Sequence, residues 1–237
     1  MLKAVLFDLD GTLLPMDQDE FVNFYFSKLA EKFMPLGYEP KKFLKTVWEG
    51  VGAMMNNDGS CTNLEAFWKA FTRVYGEESR KHEPVFEEFY AVEFQQAKVV
   101  SHPDPRAAKT VRMLRERGCK VILATNPLFP KVATESRIRW AGMEPEDFDL
   151  YSTYEDYRYC KPNLDYFRDI MERTGLDPKD CIMVGNDVDE DMAAMKVGMK
   201  VFLLGNNIIN RSGRDLSDIP KGDFDVLEDF LKKELSC

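Results

Sequence analysis

The chain begins with a short unbroken apolar run, Ala4-Val5-Leu6-Phe7 within Lys3 to Leu9, which ends at Asp8-Leu9-Asp10-Gly11-Thr12. A run of that length with β-branched and aromatic members predicts a strand buried on both faces. The pattern returns at Val121 to Ala124 before Thr125, at Ile182 to Val184 before Gly185 and at Val201 to Leu204 before Gly205, and more weakly at Leu150 to Tyr154. Helical signals fall between these runs. Asp104-Pro105 sets a cap ahead of a proline at the first helical position, and Gly118 closes that helix. Pro130 opens a second helix running to about Gly142, while Asn163 to Thr174 and Glu190 to Val197 each precede a glycine. Strand and helix in alternation predict an α/β fold with a doubly wound, Rossmann-like parallel sheet. In such sheets the working residues gather at the C-terminal ends of the strands.

The alternation lapses from about Met16 to Val100. Asp17-Gln18-Asp19-Glu20 resembles a capping box and is followed by Phe21, Phe24, Tyr25 and Leu29 at helical spacing. Thr62 to Glu65 opens another helix with Phe67, Phe71 and Tyr75, and a third carries Phe86, Phe89, Tyr90 and Phe94. These aromatic stripes are most simply the core of a small helical bundle, with Asn56 to Ser60 as a loop within it. The expected organisation is a helical domain, residues 16–100, inserted after the first strand of a core formed by residues 1–15 and 101–237.

Composition narrows the classes. The 237 residues are 44% hydrophobic and 31% charged, as in a globular protein. No apolar run approaches the roughly 18 residues of a spanning helix, and the N-terminal run is too short for a signal peptide. A cytoplasmic address without a membrane partner is expected. The formal net charge of -9 argues against a nucleic-acid partner. An acidic chain that handles anions needs a metal site or a well-placed cation. The five cysteines form no C-x-x-C pair and fit reduced thiols, and His82 and His102 are isolated on polar stretches.

Each predicted core strand ends in a polar cluster. Asp8 and Asp10, two apart in an extended chain, can face one way. Gly11 permits a turn and a close ligand approach. Two carboxylates at ~4 Å repel by about 4 kcal/mol at an effective dielectric near 20, so a divalent cation or shared proton would have to offset them. Asp-Gly is also an ordinary turn dipeptide. Thr125-Asn126-Pro127 offers a hydroxyl, an amide and backbone N–H groups suited to phosphate oxygens, although such a run is common loop chemistry too. Lys161-Pro162 lies just ahead of a helix, where an ammonium could neutralise a phosphoryl group; most single lysines are merely solvated. The run Gly185-Asn186-Asp187-Val188-Asp189-Glu190-Asp191 is harder to explain by folding alone and suits a hard cation such as Mg²⁺. Some of its acids would serve a helix N-terminus.

In combination, the four clusters resemble the haloacid dehalogenase (HAD) superfamily of phosphohydrolases over nearly the whole chain. Asp8-Leu9-Asp10-Gly11-Thr12 matches its first motif, Asp-x-Asp-Gly-Thr; Thr125 matches the second, Lys161 the third, and Asp187 with Asp191 the acidic pair of the fourth. Many members read Gly-Asp directly, whereas this chain reads Gly185-Asn186-Asp187, so which of Asn186, Asp187 and Asp191 meets the metal stays open. Asp187 is favoured because Mg²⁺ prefers a carboxylate to an amide. The resemblance implies Asp8 as nucleophile and Asp10 as general acid and base. It implies Mg²⁺ held by Asp8, the Asp10 backbone carbonyl and Asp187, with Asn186 and Asp191 in support. Thr125, Asn126 and Lys161 would hold phosphoryl oxygens, assisted by Gly11 and Thr12. The helical insertion resembles the family's helical-cap subgroup, in which the cap closes over the site and chooses the substrate; here Met54 to Asn57 and the loop after Thr12 are the expected places for that choice. The implied activity is Mg²⁺-dependent hydrolysis of a small phosphomonoester through an aspartyl-phosphate. A sugar phosphomutase on the same core and a non-turnover phospho-aspartate signalling domain are the alternatives. Asp10 argues against a dehalogenase.

Overall fold

The computed structural model describes residues 2–205 and 208–236. Its sheet has six parallel strands: β1 (Ala4–Phe7), β2 (Lys120–Leu123), β3 (Leu150–Tyr151), β4 (Cys181–Gly185), β5 (Lys200–Leu204) and β6 (Lys221–Gly222), in the order β3-β2-β1-β4-β5-β6. The two-residue β6 has no apolar run of its own and was not expected. All four β1 residues are buried, Val5 and Phe7 in one apolar cluster and Ala4 and Leu6 in the other. This two-sided burial is what an unbroken apolar strand implies. Val5 pairs with Val121 on one side and Ile182 on the other, so strand order reverses about β1. The end of β1 is therefore the switch point at which an open α/β sheet leaves a crevice.

Between β1 and β2 the chain forms α1 (Gln18–Phe33), α2 (Pro40–Met55), α3 (Asn63–Tyr75) and α4 (Glu83–Ala91). Asp17 caps α1 by accepting from the Glu20 N–H, and Thr62 caps α3 from the Glu65 N–H. Such caps contribute about 1 kcal/mol each. The third aromatic helix is shorter than its pattern suggested: α4 stops at Ala91 and the chain continues as a 3-10 segment, Glu93–Val100, that still buries Phe94. Phe33 stacks on Phe43 and packs against Phe86, with ring centroids 4.7 and 4.3 Å apart, so this block has an aromatic core. Its two connections to the sheet run side by side, joined at Met16 and Ser101.

The sheet is flanked by α5 (Pro105–Glu116), α6 (Lys131–Trp140), α7 (Leu164–Thr174) and α8 (Phe224–Leu235). Asp104 and Asn163 accept the capping N–H bonds of α5 and α7. The segment expected as a helix over Glu190 to Val197 is instead a 3-10 turn, Asp191–Val197. Its leading acids are bound to neighbouring loops rather than left to cap a helix. Among the described residues, no helix is long and apolar enough to cross a membrane.

Candidate active site

β1 delivers Asp8 to the switch point, where its N–H donates to the Val184 carbonyl of β4. Thr12 Oγ1 donates to Asp8 Oδ2 (3.1 Å) and to Asn186 Oδ1 (3.2 Å), binding the first and fourth polar clusters together. Lys161, 1% exposed, places Nζ 2.9 Å from Asp8 Oδ1 and 2.6 Å from Asp191 Oδ1. Burial alone would depress its pKa, but Asp191 and Asp8 outweigh burial and hold the ammonium well above its usual value. The other Asp191 oxygen accepts the Asp187 N–H at 2.9 Å. Asn126 is the knot between three loops: its Oδ1 accepts the Lys161 N–H and its Nδ2 donates to Glu190 Oε2, both at 2.7 Å. Burial pushes the Glu190 carboxyl up to about 7, with Lys161 opposing. Thr125 is buried, its carbonyl accepting from Ser152 Oγ and the Tyr166 hydroxyl.

Asp10 has a partner that the sequence did not reveal. Its carboxylate is ion-paired with Arg137 of α6, a fully buried guanidinium that also donates to the Ala133 carbonyl and lies 4.1 Å from the Phe129 ring centroid. The other Asp10 oxygen is buried without a hydrogen-bond partner. Burial raises the Asp10 pKa, Arg137 opposes, and the net direction is upward. The Asp10 backbone carbonyl accepts from Gln18 Nε2 of α1 at 3.2 Å.

Asp187 and Asn186 have different surroundings. Asp187 Oδ1 accepts from the N–H groups of Asp189 and Glu190, and its Oδ2 accepts from Arg211 at 2.7 Å. Asn186 is linked to Asp8 through Thr12, and its amide lies where a Cβ on Gly11 (φ +85°) would collide with it. Asp8 and the Asp10 carbonyl after β1, with Asn186 and Asp187 after the neighbouring β4, thus supply hard oxygen donors. Among the described residues, no three His, Cys, Asp or Glu side chains form a ready metal cluster. Mg²⁺ is commonly held by only one or two carboxylates together with waters and substrate phosphate.

A cavity of about 170 Å³ opens onto Asp8, Asp10, Thr125, Asn126, Asn186, Asp187, Glu190 and Asp191. Its far wall comes from Gln18, Phe21 and Val22 of α1 and from Leu128 and Phe129. Met54 to Asn57 do not line it. Asn57 instead bonds to Cys61 and Asn63, and the Met54 carbonyl accepts from Cys160, beside the Lys161 loop. Asn63 of α3 ties that loop to the Thr125-Pro127 loop, with its N–H on the Tyr157 carbonyl and its Nδ2 on the Pro127 carbonyl. A larger cavity, about 640 Å³, lies on the other side of Gly11 and Thr12 against Pro15, Met16, His102 and Phe224; Asp104 and Asp223 on its wall are ion-paired with Arg106.

Residues 2–198 match the family model described as haloacid dehalogenase-like hydrolase. A glyceraldehyde 3-phosphate phosphatase of Methanothermobacter thermautotrophicus is 28% identical, with 97% of each chain covered. The pyrophosphatase PpaX of Bacillus velezensis is 24% identical, over 84% of this chain and 81% of that protein. Among solved structures, a HAD phosphatase from Thermococcus onnurineus superposes with a TM-score of 0.60 at 22% identity, covering 97% of this chain and 98% of that one.

Proposed function

This chain belongs to the haloacid dehalogenase-like hydrolases, and from that premise we propose that it is a phosphatase of small phosphorylated metabolites, acting through Asp8. The observation that carries the reading is the buried Lys161 ammonium held between Asp8 and Asp191 at the edge of a cavity lined by Thr125 and Asn126. A fixed cation and hydroxyl and amide donors beside a carboxylate form an anion site with a nucleophile at its floor. Relatives named as phosphatases over nearly the full length support it.

In the first step an Asp8 carboxylate oxygen bonds to phosphorus as the phosphorus–oxygen bond to the leaving group breaks. Asp10 gives its proton to the departing oxygen, so an alcohol leaves. In the second step a water oxygen bonds to phosphorus, Asp10 takes back a proton, and the bond to Asp8 breaks to free inorganic phosphate. The upward direction of the Asp10 pKa supports the acid role. Lys161 and Thr125 neutralise and orient the phosphoryl oxygens, the work on which phosphoryl transfer most depends. Mg²⁺ fits the oxygen donors of Asp8, the Asp10 carbonyl and either Asn186 or Asp187, where it would offset negative charge on the transferring group. The helical block from α1 to α4 acts in this reading as a cap over the site, since α1 supplies its far wall.

The test is phosphate release from p-nitrophenyl phosphate and a panel of metabolite phosphates, first with Mg²⁺ and then with excess EDTA. Turnover that EDTA removes and Mg²⁺ restores is the expected result; no release from any compound would overturn the reading. Arg137 provides a second check. Arg137→Met is expected to lower kcat roughly 10- to 100-fold with little change in KM, because Asp10 loses the partner that aims it. A KM rise with kcat intact would place Arg137 in binding instead.

A further inference from the structure

The far wall of the 170 Å³ cavity says what can leave. If phosphate sits against Asp8 and Lys161, the rest of the substrate faces Phe21 and Val22 of α1 and Phe129 of the core. Phe21 and Phe129 stand with ring centroids 6.2 Å apart. Among the described lining residues there is no Lys, Arg or His. Three cations lie nearby, and each is already committed. Lys161 is bound by Asp8 and Asp191, Arg137 by Asp10, and Arg211 by Asp187. The polar groups left on this side are the Gln18 amide, which can donate and accept, and the Glu190 carboxyl, which can repel an anion once ionised. The space is small too. At about 170 Å³ it falls below the roughly 300 Å³ at which sites for drug-sized ligands begin.

We propose that the substrate's leaving group is short and uncharged, a small alcohol or hydroxyaldehyde, and carries neither a carboxylate nor a second phosphate. This rests on the phosphatase reading and deepens it. A second anion would enter an apolar wall with no free counter-charge, and a buried unpaired charge is among the strongest grounds for rejection. A neutral chain lays its carbon against the aromatic rings and turns a hydroxyl toward Gln18.

Matched pairs that differ in charge at similar size test this. With the full-length protein and Mg²⁺, kcat/KM is measured for 2-hydroxyethyl phosphate against phosphoglycolate, and for glyceraldehyde 3-phosphate against 3-phosphoglycerate, with p-nitrophenyl phosphate as a general reporter. The neutral member of each pair is expected to lead by about 100-fold. Equal rates, or a lead for the anionic member, overturn the proposal while leaving the phosphatase reading intact. Silence from every compound, the reporter included, overturns both. Val22→Lys and, separately, Gln18→Lys add the missing cation and are expected to narrow each ratio by about tenfold or more. A ratio that neither variant moves would show that charge is not what the wall selects.

Discussion

Asp8→Asn is expected to lower phosphate release by at least about 10⁴-fold, the scale of loss when a covalent nucleophile is removed. The substitution keeps the side chain's size and leaves Thr12 a partner. Lys161 retains Asp191 at 2.6 Å, so the buried cation is not stranded and the fold is expected to survive. Two measurements separate chemistry from folding. Thermal unfolding should show a cooperative transition in both proteins. Acid quenching during turnover should find one added phosphoryl group on the Asp8 peptide of the wild type and none in the variant. A folded Asn variant that kept a tenth of the activity would move the nucleophile elsewhere. Transfer of the phosphoryl group to a sugar in place of water would make the chain a mutase, and a stable phospho-Asp8 without turnover would make it a signalling domain.

The core was legible because its strands are buried on both faces. Such strands leave unbroken apolar runs, and three of them, β1, β2 and β4, lead into the polar clusters that carry Asp8, Thr125 and Asp191, while Lys161 lies ten residues beyond the short, half-buried β3. β6 left no such trace, since Lys221 and Gly222 pair at the sheet edge without entering the core. α8 did carry a signal, with Phe224, Leu227 and Leu231 at helical spacing and all buried, but it lay beyond the last recognised motif. The fourth cluster was read as a helix start because acids favour that position. Its Glu190 and Asp191 in fact answer to Asn126 and Lys161 from other strand ends, which local pattern cannot express.

Within the site, spacing found the residues that touch the strand ends and missed those that reach in from helices. Arg137 had a readable mark: it shares a helix face with Ala133, Thr134 and Trp140, all buried, and a charge on such a face needs a buried partner. Nothing local could say that the partner was Asp10, 127 residues away. Gln18 and Phe21 were read as cap and core of a helix, which they are, yet they also wall the cavity. The expected places for substrate choice, Met54 to Asn57 at the end of α2 and the loop after Thr12, do not line this cavity, whose wall beside Asp8 is built by α1 and the Leu128-Phe129 pair. Met54 accepts from Cys160, and Asn57 bonds to Asn63, which itself donates to Cys160, so this stretch packs against the residue before Lys161.

That lysine carries the largest structural stake in the site. Lys161→Met keeps a long apolar stem but removes the cation that is ion-paired with two carboxylates that are 7% and 2% exposed. Removing one member of a buried ionic cluster costs about 3–5 kcal/mol, or roughly 6–20 °C in melting temperature for a chain of this size. The pH dependence tells this apart from a simple packing loss. In the wild type the folded-state pKa of Lys161 is raised, so its contribution is complete below its unfolded value near 10.5 and fades only as pH climbs through the higher folded value. In the wild type burial already pushes the Asp191 carboxyl up to about 6 against the pull of Lys161, and in the variant, with that cation gone, it rises further above the unfolded carboxylate value. A raised acid stabilises the fold below its unfolded pKa and loses that contribution as pH rises. The variant's deficit should therefore be smallest near pH 4 and widen toward pH 8, as read from thermal melts of both proteins across that range. A deficit that stays constant with pH would mean that the ammonium contributes packing alone, and that Asp191 does not depend on Lys161 for its charge.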